Sequence, residues 1–580
     1  MKFNLFESSI VMKHFTAFFC VLVLVFVSTP NLAAQEIPEQ YFEKPLDIPL
    51  ILSGTFGELR NNHFHAGIDI KTQGRVGLPV KASADGYISR IKIQEFGYGK
   101  AVYIQHPNGF QTVYAHLNEF APEIEAYVKK QQYIKESYEI ELFPNEKLFQ
   151  IKQGEVIAYS GNTGSSGGPH VHFEIRDSNS RPMNPLLFGF EEIEDHIKPR
   201  IKSLWAYTLE DSSQINGIQG KKRIQLKLDQ DGIYRAENIY AFGKIGFGIS
   251  TDDQLNKAIN RNGIFQIQAF LNGNKHFEQQ FSKFSFAETR YINRLIDYFH
   301  FKEHKQRIQK LFIEINNPLS INTHHNRGGV INIIDEDLHY NYQLFIKDFA
   351  GNQQEIQIPI IGKKHKISQP IVQEKTPYFV QAKYGVAFEE VNVDVYFPKG
   401  ALYDDTYLKI EFEANAIELH DYRTPIHNAV HLGFDVSKFP IEAQEKMYVA
   451  RVMPWGAKYY TSTTRKKDRI TALIKDFGRY EIAYDRDAPK ITPINVRDKK
   501  WMSNYRYLKI KIEDETTGIE NYRATVNDEF ILMEYEYKDN MLTYDFNDDK
   551  FEDGKNDFKL IVTDKVGNTS IFEAEIFRKN

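Results

Sequence analysis

"GGPHVHFEIRD" (Gly167–Asp177) places two histidines one residue apart, directly after a glycine-rich stretch. Val171, Phe173 and Ile175 alternate with His170, His172 and Glu174. Period-two alternation marks a strand with one buried face. On such a strand both imidazoles point the same way and can serve one site. A metal, a proton relay and plain polar surface all fit two neighbouring imidazoles. A lone His-x-His on a strand is mostly polar surface, so the rest of the chain must decide.

Working outward, 580 residues exceed what one core can organise, and several domains follow. Apolar residues at 42% and charged residues at 26% give the balance of a globular protein. With 33 Tyr and 43 Phe, the composition favours strands. The net charge of −5, without a basic block, speaks against nucleic acid as a partner. Residues 1–34 read as an export signal: Lys2 and Lys13 precede the apolar run Ala17–Val27, and Asn31-Leu32-Ala33-Ala34 resembles a small-residue cleavage site. Export to the periplasm or cell envelope is the expectation. The single cysteine, Cys20, lies inside that signal, so the mature chain is expected to hold together without disulfides.

The fold class expected is mostly β: a compact β domain without long helices, then several β-sandwich modules. Residues 35–198 carry nearly all the glycine-rich and histidine-bearing segments. Within them, "AVYIQHPNGFQTVYAHL" predicts a hairpin of Ala101–Gln105 and Gln111–Ala115 around Pro107-Asn108-Gly109. Beyond Lys198, "YQLFIKDFAGN" (Tyr342–Asn352) and "FKLIVTDKVGN" (Phe558–Asn568) share alternation followed by Asp-x-x-Gly-Asn. Two immunoglobulin-like sandwiches are therefore expected, over 199–365 and 487–580, with a β-rich module over 366–486 between them. The first carries a helical insertion, in which Ser285 and Glu288 form a capping box. There Tyr291, Ile292, Leu295, Ile296 and Phe299 share one face.

The first region supplies further candidates. "NNHFHAGIDI" contributes His63, His65 and Asp69, and "YAHL" contributes His116. A catalytic zinc takes three nitrogen or oxygen ligands and keeps one open position. His65, Asp69 and His172 meet that count, with Gly67 expected to let the backbone turn between the first two. His63 is a rival ligand at this stage. His106, before the Pro-Asn-Gly turn, reads as structural, and His324-His325 as a polar loop. Glu174 shares the histidine face, either orienting a ligand or lying in solvent. Gly161–Pro169 lacks a phosphate-loop lysine, so its glycines are read as a tight turn beside an open groove.

Taken together, H-x-x-x-D at His65–Asp69, Y-x-H-L at Tyr114–Leu117 and "GNTGSSGGPHVHFE" (Gly161–Glu174) resemble the LytM/lysostaphin-type zinc endopeptidases. The resemblance covers roughly residues 50–190, with the motifs in the family's order. It implies Zn2+ as cofactor, with His65, Asp69 and His172 as ligands. His116 and His170 are implied as catalytic histidines that are not ligands, their individual roles unassigned. It further implies cleavage of peptide bonds in peptidoglycan stems or bridges. The family pattern favours His65 over His63. One departure is the insertion of Phe120–Gln153, expected as a cap or wall beside the groove. Three rival readings stay open: a non-catalytic envelope scaffold or activator of another wall hydrolase, a surface adhesion protein, and a metallopeptidase acting on proteins. Envelope protein partners would bind through the C-terminal β modules.

Overall fold

In the computed structural model, residues 37–38, 40–190, 193–368, 370–371 and 373–579 are described. The expected export signal over 1–34 lies outside the described residues. Among the described residues, no helix is long and apolar enough to cross a membrane.

The histidine-bearing region builds an 11-stranded sheet. Its strands are β1 (Leu52–Gly54), β2 (Ile68–Lys71), β3 (Pro79–Lys81), β4 (Gly86–Ile93), β5 (Lys100–Gln105) and β6 (Gln111–Phe120). After helix α1 (Pro122–Lys135) come β7 (Ile140–Leu142), β8 (Gln150–Ile151), β9 (Val156–Ser160), β10 (His170–Arg176) and β11 (Pro182–Met183). The main path runs β1-β2-β10-β6-β5-β4-β7. The alternating stretch with the paired histidines is β10, antiparallel to β2 on one side and to β6 on the other. Val171, Phe173 and Ile175 are fully buried in one core with Ile68, Ile70 and Tyr114. Each contributes about 1.5–3 kcal/mol by leaving water, and a one-residue slip would turn the histidines into that core. The expected hairpin forms as β5 and β6, with Gln105 opposite Gln111 and Gly109 at φ 85° in the turn.

Two local expectations need correction. The region does contain a long helix: the 14-residue α1 lies in the insertion of residues 120–153. Pro122 occupies its first turn, Glu123 and Glu125 complement the helix dipole, and Glu136 closes it in the left-handed conformation. Ile124, Val128 and Gln132, four residues apart, form its buried stripe. The insertion near Ser285 is not one helix. The Ser285 amide does donate to Glu288 Oε1 (2.6 Å), but a 3-10 turn (Thr289–Tyr291) and the four-residue α2 (Ile292–Leu295) follow in place of a continuous helix. Ile296 is extended and bridges to Gln309. Asp297 then caps a second short helix, α3 (Tyr298–His304), by accepting from the His300 amide. An aspartate competes for backbone N–H groups and favours a new N-cap over a helix interior.

Downstream, residues 200–362 form a hydrogen-bonded network of 13 strands, in which the long strand Ile239–Asp252 pairs with Arg200–Thr208 and with Gln353–Gly362. Residues 378–484 hold two five-stranded sheets and a two-stranded one around a separate core. Residues 490–578 hold a four-stranded and a five-stranded sheet around another.

Two of these units grip the first sheet. Phe56, Phe64 and Ala66, which flank the His65 segment, share a core with Phe281, Phe284, Ile292, Leu295, Leu319 and Ile321. A Cβ on Gly57 would stand 2.6 Å from the Phe281 ring, so only glycine permits this approach. On the other side, the last unit docks on α1 and on the loops flanking the site. Lys129 and Tyr133 of α1 reach Asp548 (2.6 and 2.8 Å), and the buried Lys100 pairs with Glu534 (2.9 Å).

Candidate metal centre and its histidine neighbours

Strand register builds the centre. His172 lies directly opposite Asp69 in the β10–β2 pair, which holds the two Cβ atoms about 4.5–5.5 Å apart. Gly67 works differently from the expectation. Its φ is not left-handed; a Cβ there would meet the Phe173 carbonyl oxygen at 2.2 Å. Close approach to β10 requires the glycine, and this approach brings His65 over the strand.

His65, Asp69 and His172 converge as the sequence led us to expect, while His63 does not join them. Asp69 Oδ1 lies 3.0 Å from His65 Nε2 and 2.8 Å from His172 Nδ1, and the two ring nitrogens are 3.1 Å apart. The far nitrogens settle the tautomers. His65 Nδ1 donates to the Thr55 carbonyl (2.8 Å), and His172 Nε2 donates to Glu174 Oε1 (2.8 Å). In the neutral rings, His65 Nε2 and His172 Nδ1 are therefore both lone pairs aimed at one point beside a carboxylate oxygen. Three acceptors this close repel one another unless a proton or a metal cation lies among them, and the donor set fits Zn2+. Ligand histidines of zinc sites characteristically donate their other N–H in this way.

Polar neighbours hold the triad. Arg60 Nη2 binds Asp69 Oδ2 (2.7 Å), leaving Oδ1 for the centre. Glu174 is fully buried. It accepts from His172, from Arg176 Nε (2.6 Å) and from the Tyr98 hydroxyl, whose ring stacks on His172 with centroids 5.2 Å apart. Burial disfavours the Glu174 carboxylate, but Arg176 and His172 outweigh it and bring its pKa down to about 2. Burial likewise disfavours charge on His172, yet its hydrogen bonds to Asp69 and Glu174 raise it to about 9 in the metal-free site. Asp69 is buried too, and the imidazoles around it hold it well below the usual carboxylate range.

His116 reaches the site through a bulge. The β5–β6 register shifts between Lys100–Leu117 and Val102–Tyr114, and His116 has φ 60°. Such a conformation costs a non-glycine residue on the order of 1–3 kcal/mol and re-aims its side chain. Its Nδ1 donates to the Thr163 carbonyl (2.8 Å). His170 Nδ1 donates to the Gly168 carbonyl (2.8 Å), and its Nε2 lies 3.5 Å from Asp69 Oδ1. The two rings stand 4.7 Å apart. Burial, then the neighbouring His172 and His170, lowers His116 to about 3, so it is neutral at ordinary pH.

The remaining candidates lie elsewhere. His63 is exposed, its Nδ1 on the Asn61 carbonyl (2.7 Å). His106 is buried between the Asp85 carbonyl and Thr112 Oγ1, a structural role. His324 and His325 are exposed on a two-residue strand. Sequence reasoning passed over Arg60, Tyr98, Thr163 and Arg176. Only Arg176 carried a signal, as the next residue on the His170–His172–Glu174 face.

Residues 63–141 and 146–185 match the model of Peptidase family M23, and residues 377–485 match that of a Zu5-like domain. Over 122 residues the chain is 38% identical to the DD-carboxypeptidase/endopeptidase Mpg of Neisseria meningitidis serogroup B, covering 21% of this chain and 22% of that one. It is 31% identical over 122 residues to the peptidoglycan DD-endopeptidase ShyA of Vibrio cholerae, with the same shares. Against the cell division protein DipM of Caulobacter vibrioides it is 30% identical over 151 residues, 25% of this chain and 20% of that one. The chain thus spans about a fifth of the length of the curated relatives it matches. Through the residues that build β2, β6 and β10, the chain carries a LytM-type domain of Peptidase family M23.

Proposed function

We propose that the protein is an exported zinc endopeptidase that hydrolyses peptide bonds in the cross-links or bridges of bacterial peptidoglycan. The observation carrying this reading is the tautomer pattern: two imidazole lone pairs and Asp69 Oδ1 converge on one point, and two more imidazoles face it. His65, Asp69 and His172 would hold Zn2+, which when bound supplies Lewis acidity toward the scissile carbonyl and lowers the pKa of water. His116 and His170 each have Nδ1 tied to a backbone carbonyl, so each neutral ring offers Nε2 as a base. One takes the proton of the attacking water; the protonated ring then stabilises the oxyanion or delivers a proton to the leaving amine. The relative named as a peptidoglycan DD-endopeptidase supports a peptidoglycan substrate.

We also propose the division 35–198 for the peptidase domain, 199–365 and 487–580 for immunoglobulin-like sandwiches, and 366–486 for the module between them. The separate cores support it. The test of function is to incubate the zinc-loaded chain with defined muropeptides and identify new termini by mass spectrometry. New termini within stem or bridge peptides are expected, and their absence with zinc bound would refute the reading. The second reading, a non-catalytic scaffold, draws on the likeness to DipM, whose name states a part in cell division and no enzymatic activity. It predicts a chain that takes up no zinc.

A further inference from the structure

Outside the zinc centre, three carboxylates from distant segments meet in the interior. Asp195 precedes the strand Arg200–Thr208, Asp253 follows the strand Ile239–Asp252, and Asp348 opens the turn before Gln353–Gly362. They are 6%, 4% and 2% exposed, and an oxygen from each lies within 4.8 Å of the others. Among the described residues, none of the three pairs with Lys or Arg. Arg200 and Lys202, on the strand that follows Asp195, are bound to Asp252 instead. Some of the oxygens are satisfied: Asp195 Oδ1 accepts from the Ile197 amide (3.0 Å), and Asp348 accepts from the Asn352 amide and side chain (2.9 and 2.8 Å). Asp195 Oδ2 and Asp253 Oδ1 are buried and accept no hydrogen bond. A buried carboxylate oxygen with no donor is costly and calls for a cation.

We propose that Asp195, Asp253 and Asp348 form a calcium site at the junction between the peptidase domain and the unit that follows it. An all-oxygen donor set selects a hard cation. Oxygens around Ca2+ lie about 2.3–2.6 Å from it, so a mutual spacing of up to 4.8 Å suits one ion. Mg2+ binds less well to an all-protein cage, because it sheds its waters reluctantly and demands octahedral geometry. Burial, with the charges of the neighbouring aspartates, pushes Asp253 up to about 7 and Asp348 up to about 6, as expected of a cluster lacking its counter-ion.

A second triad offers a contrast. Asp485, Asp514 and Asp564 also converge, and Asp564 lies in the second Asp-x-x-Gly-Asn motif as Asp348 does in the first. There, however, protein donors are already in place: the Thr517 hydroxyl on Asp485, the Thr517 and Gly518 amides on Asp514, and Asn568 on Asp564. The first triad is the one with oxygens to spare.

Its position gives the ion a task. The loop after Asp253 places Leu255 and Ala258 in the core of the peptidase domain, and Gly263 at its end donates to Thr55 Oγ1 (3.2 Å). Thr55 is the residue whose carbonyl orients His65. Calcium would tie the connecting segment at Asp195 to the loop that buttresses the His65 arm. This assignment is independent of whether the zinc centre is hydrolytic.

The test uses the full chain, zinc-loaded and freed of calcium on a chelating resin, titrated with CaCl2 by calorimetry and melted with and without CaCl2. Wild type should bind calcium in the millimolar range or tighter, with a raised melting temperature. Asp253→Asn should bind one equivalent fewer and lose that rise. In calcium-free buffer Asp253→Asn should melt at or above wild type, because it relieves repulsion; this distinguishes loss of the ion from failure to fold. His172→Ala should keep the calcium response, which separates it from the zinc centre. Absence of calcium binding, an unchanged response in Asp253→Asn, its loss in His172→Ala, or an equal rise with MgCl2 would each overturn the assignment.

Discussion

Glu174→Gln tests how the proposed zinc centre is supported. The substitution keeps the shape of a fully buried side chain and removes its charge. Glu174 now accepts three hydrogen bonds, from His172 Nε2, Arg176 Nε and the Tyr98 hydroxyl. A glutamine has one acceptor oxygen, and its amide must then point N–H groups at another donor. If the oxygen stays on His172, Arg176 loses its one carboxylate partner among the described residues while still largely buried against Tyr103 and Phe286. Breaking a buried ion pair costs about 3–5 kcal/mol. If the oxygen turns to Arg176, His172 loses the acceptor that fixes its tautomer, and zinc affinity should fall about 10–100-fold. The oxygen cannot serve both geometries, so both losses are expected in part. Urea unfolding of the metal-free chain measures the first, and competition with a chromophoric chelator measures the second. A Glu174→Gln chain with wild-type midpoint and wild-type zinc affinity would refute the claim that this carboxylate holds the site.

Three further outcomes follow from the same geometry. Because folding raises the His172 pKa from 6.5 to about 9 without metal, the metal-free chain should carry about 3 kcal/mol of stability below pH 6.5 that is lost as pH rises through 9. Zinc binding near pH 7.5 should correspondingly release a proton from this ring, measurable by calorimetry in buffers of different ionisation heat. His116→Ala and His170→Ala should abolish hydrolysis while retaining zinc, whereas His65→Ala, Asp69→Ala and His172→Ala should lose both. Since His116 titrates near 3, its protonation should not shape the activity profile between about pH 5 and 8. Phe281→Ala should cost about 3–5 kcal/mol and weaken zinc binding, because the ring packs on Gly57 and Phe64 around the His65 arm. Phe247→Ala, in the core of residues 201–360, should cost similar stability and spare the zinc.

What could be read from the sequence was what short-range pattern controls. Alternation over Gly167–Asp177 announced a strand with His170 and His172 on one face, and the ladder to Asp69 bears that out. The paired hairpin followed from a Pro-Asn-Gly turn. Helix α1 was missed although its signals were present: Pro122 in the first turn, acidic residues beside it, and Ile124 and Val128 four apart. Its tyrosines and lysines looked like a loop wall because they face another unit. Glu174 was left undecided between a ligand-orienting and a solvated role because its environment depends on Tyr98, 76 residues earlier. His116 was placed in the site by family likeness; no pattern announced its left-handed backbone, which arises from a register shift between two strands.

The least legible feature is the dependence of the site on the rest of the chain. The His65 arm is held by Thr55, and Thr55 with Phe56 and Phe64 is held by residues 263–321. On the opposite wall, Thr163 orients His116, and the last unit binds on either side of it: Lys538 donates to the Asn162 carbonyl and Tyr537 to the Gly164 carbonyl (3.3 Å). Tyr537 also packs on Phe96, with centroids 4.7 Å apart. These contacts join residues hundreds of positions apart, beyond the reach of any local pattern. On the proposed reading one arm presents a ligand imidazole and the other a base, and the distance between them would set whether water and carbonyl meet in reactive geometry. The units that follow the first sheet therefore pack on both walls of the site. Cutting the chain after residue 198 should leave a domain whose two walls have lost their outer packing.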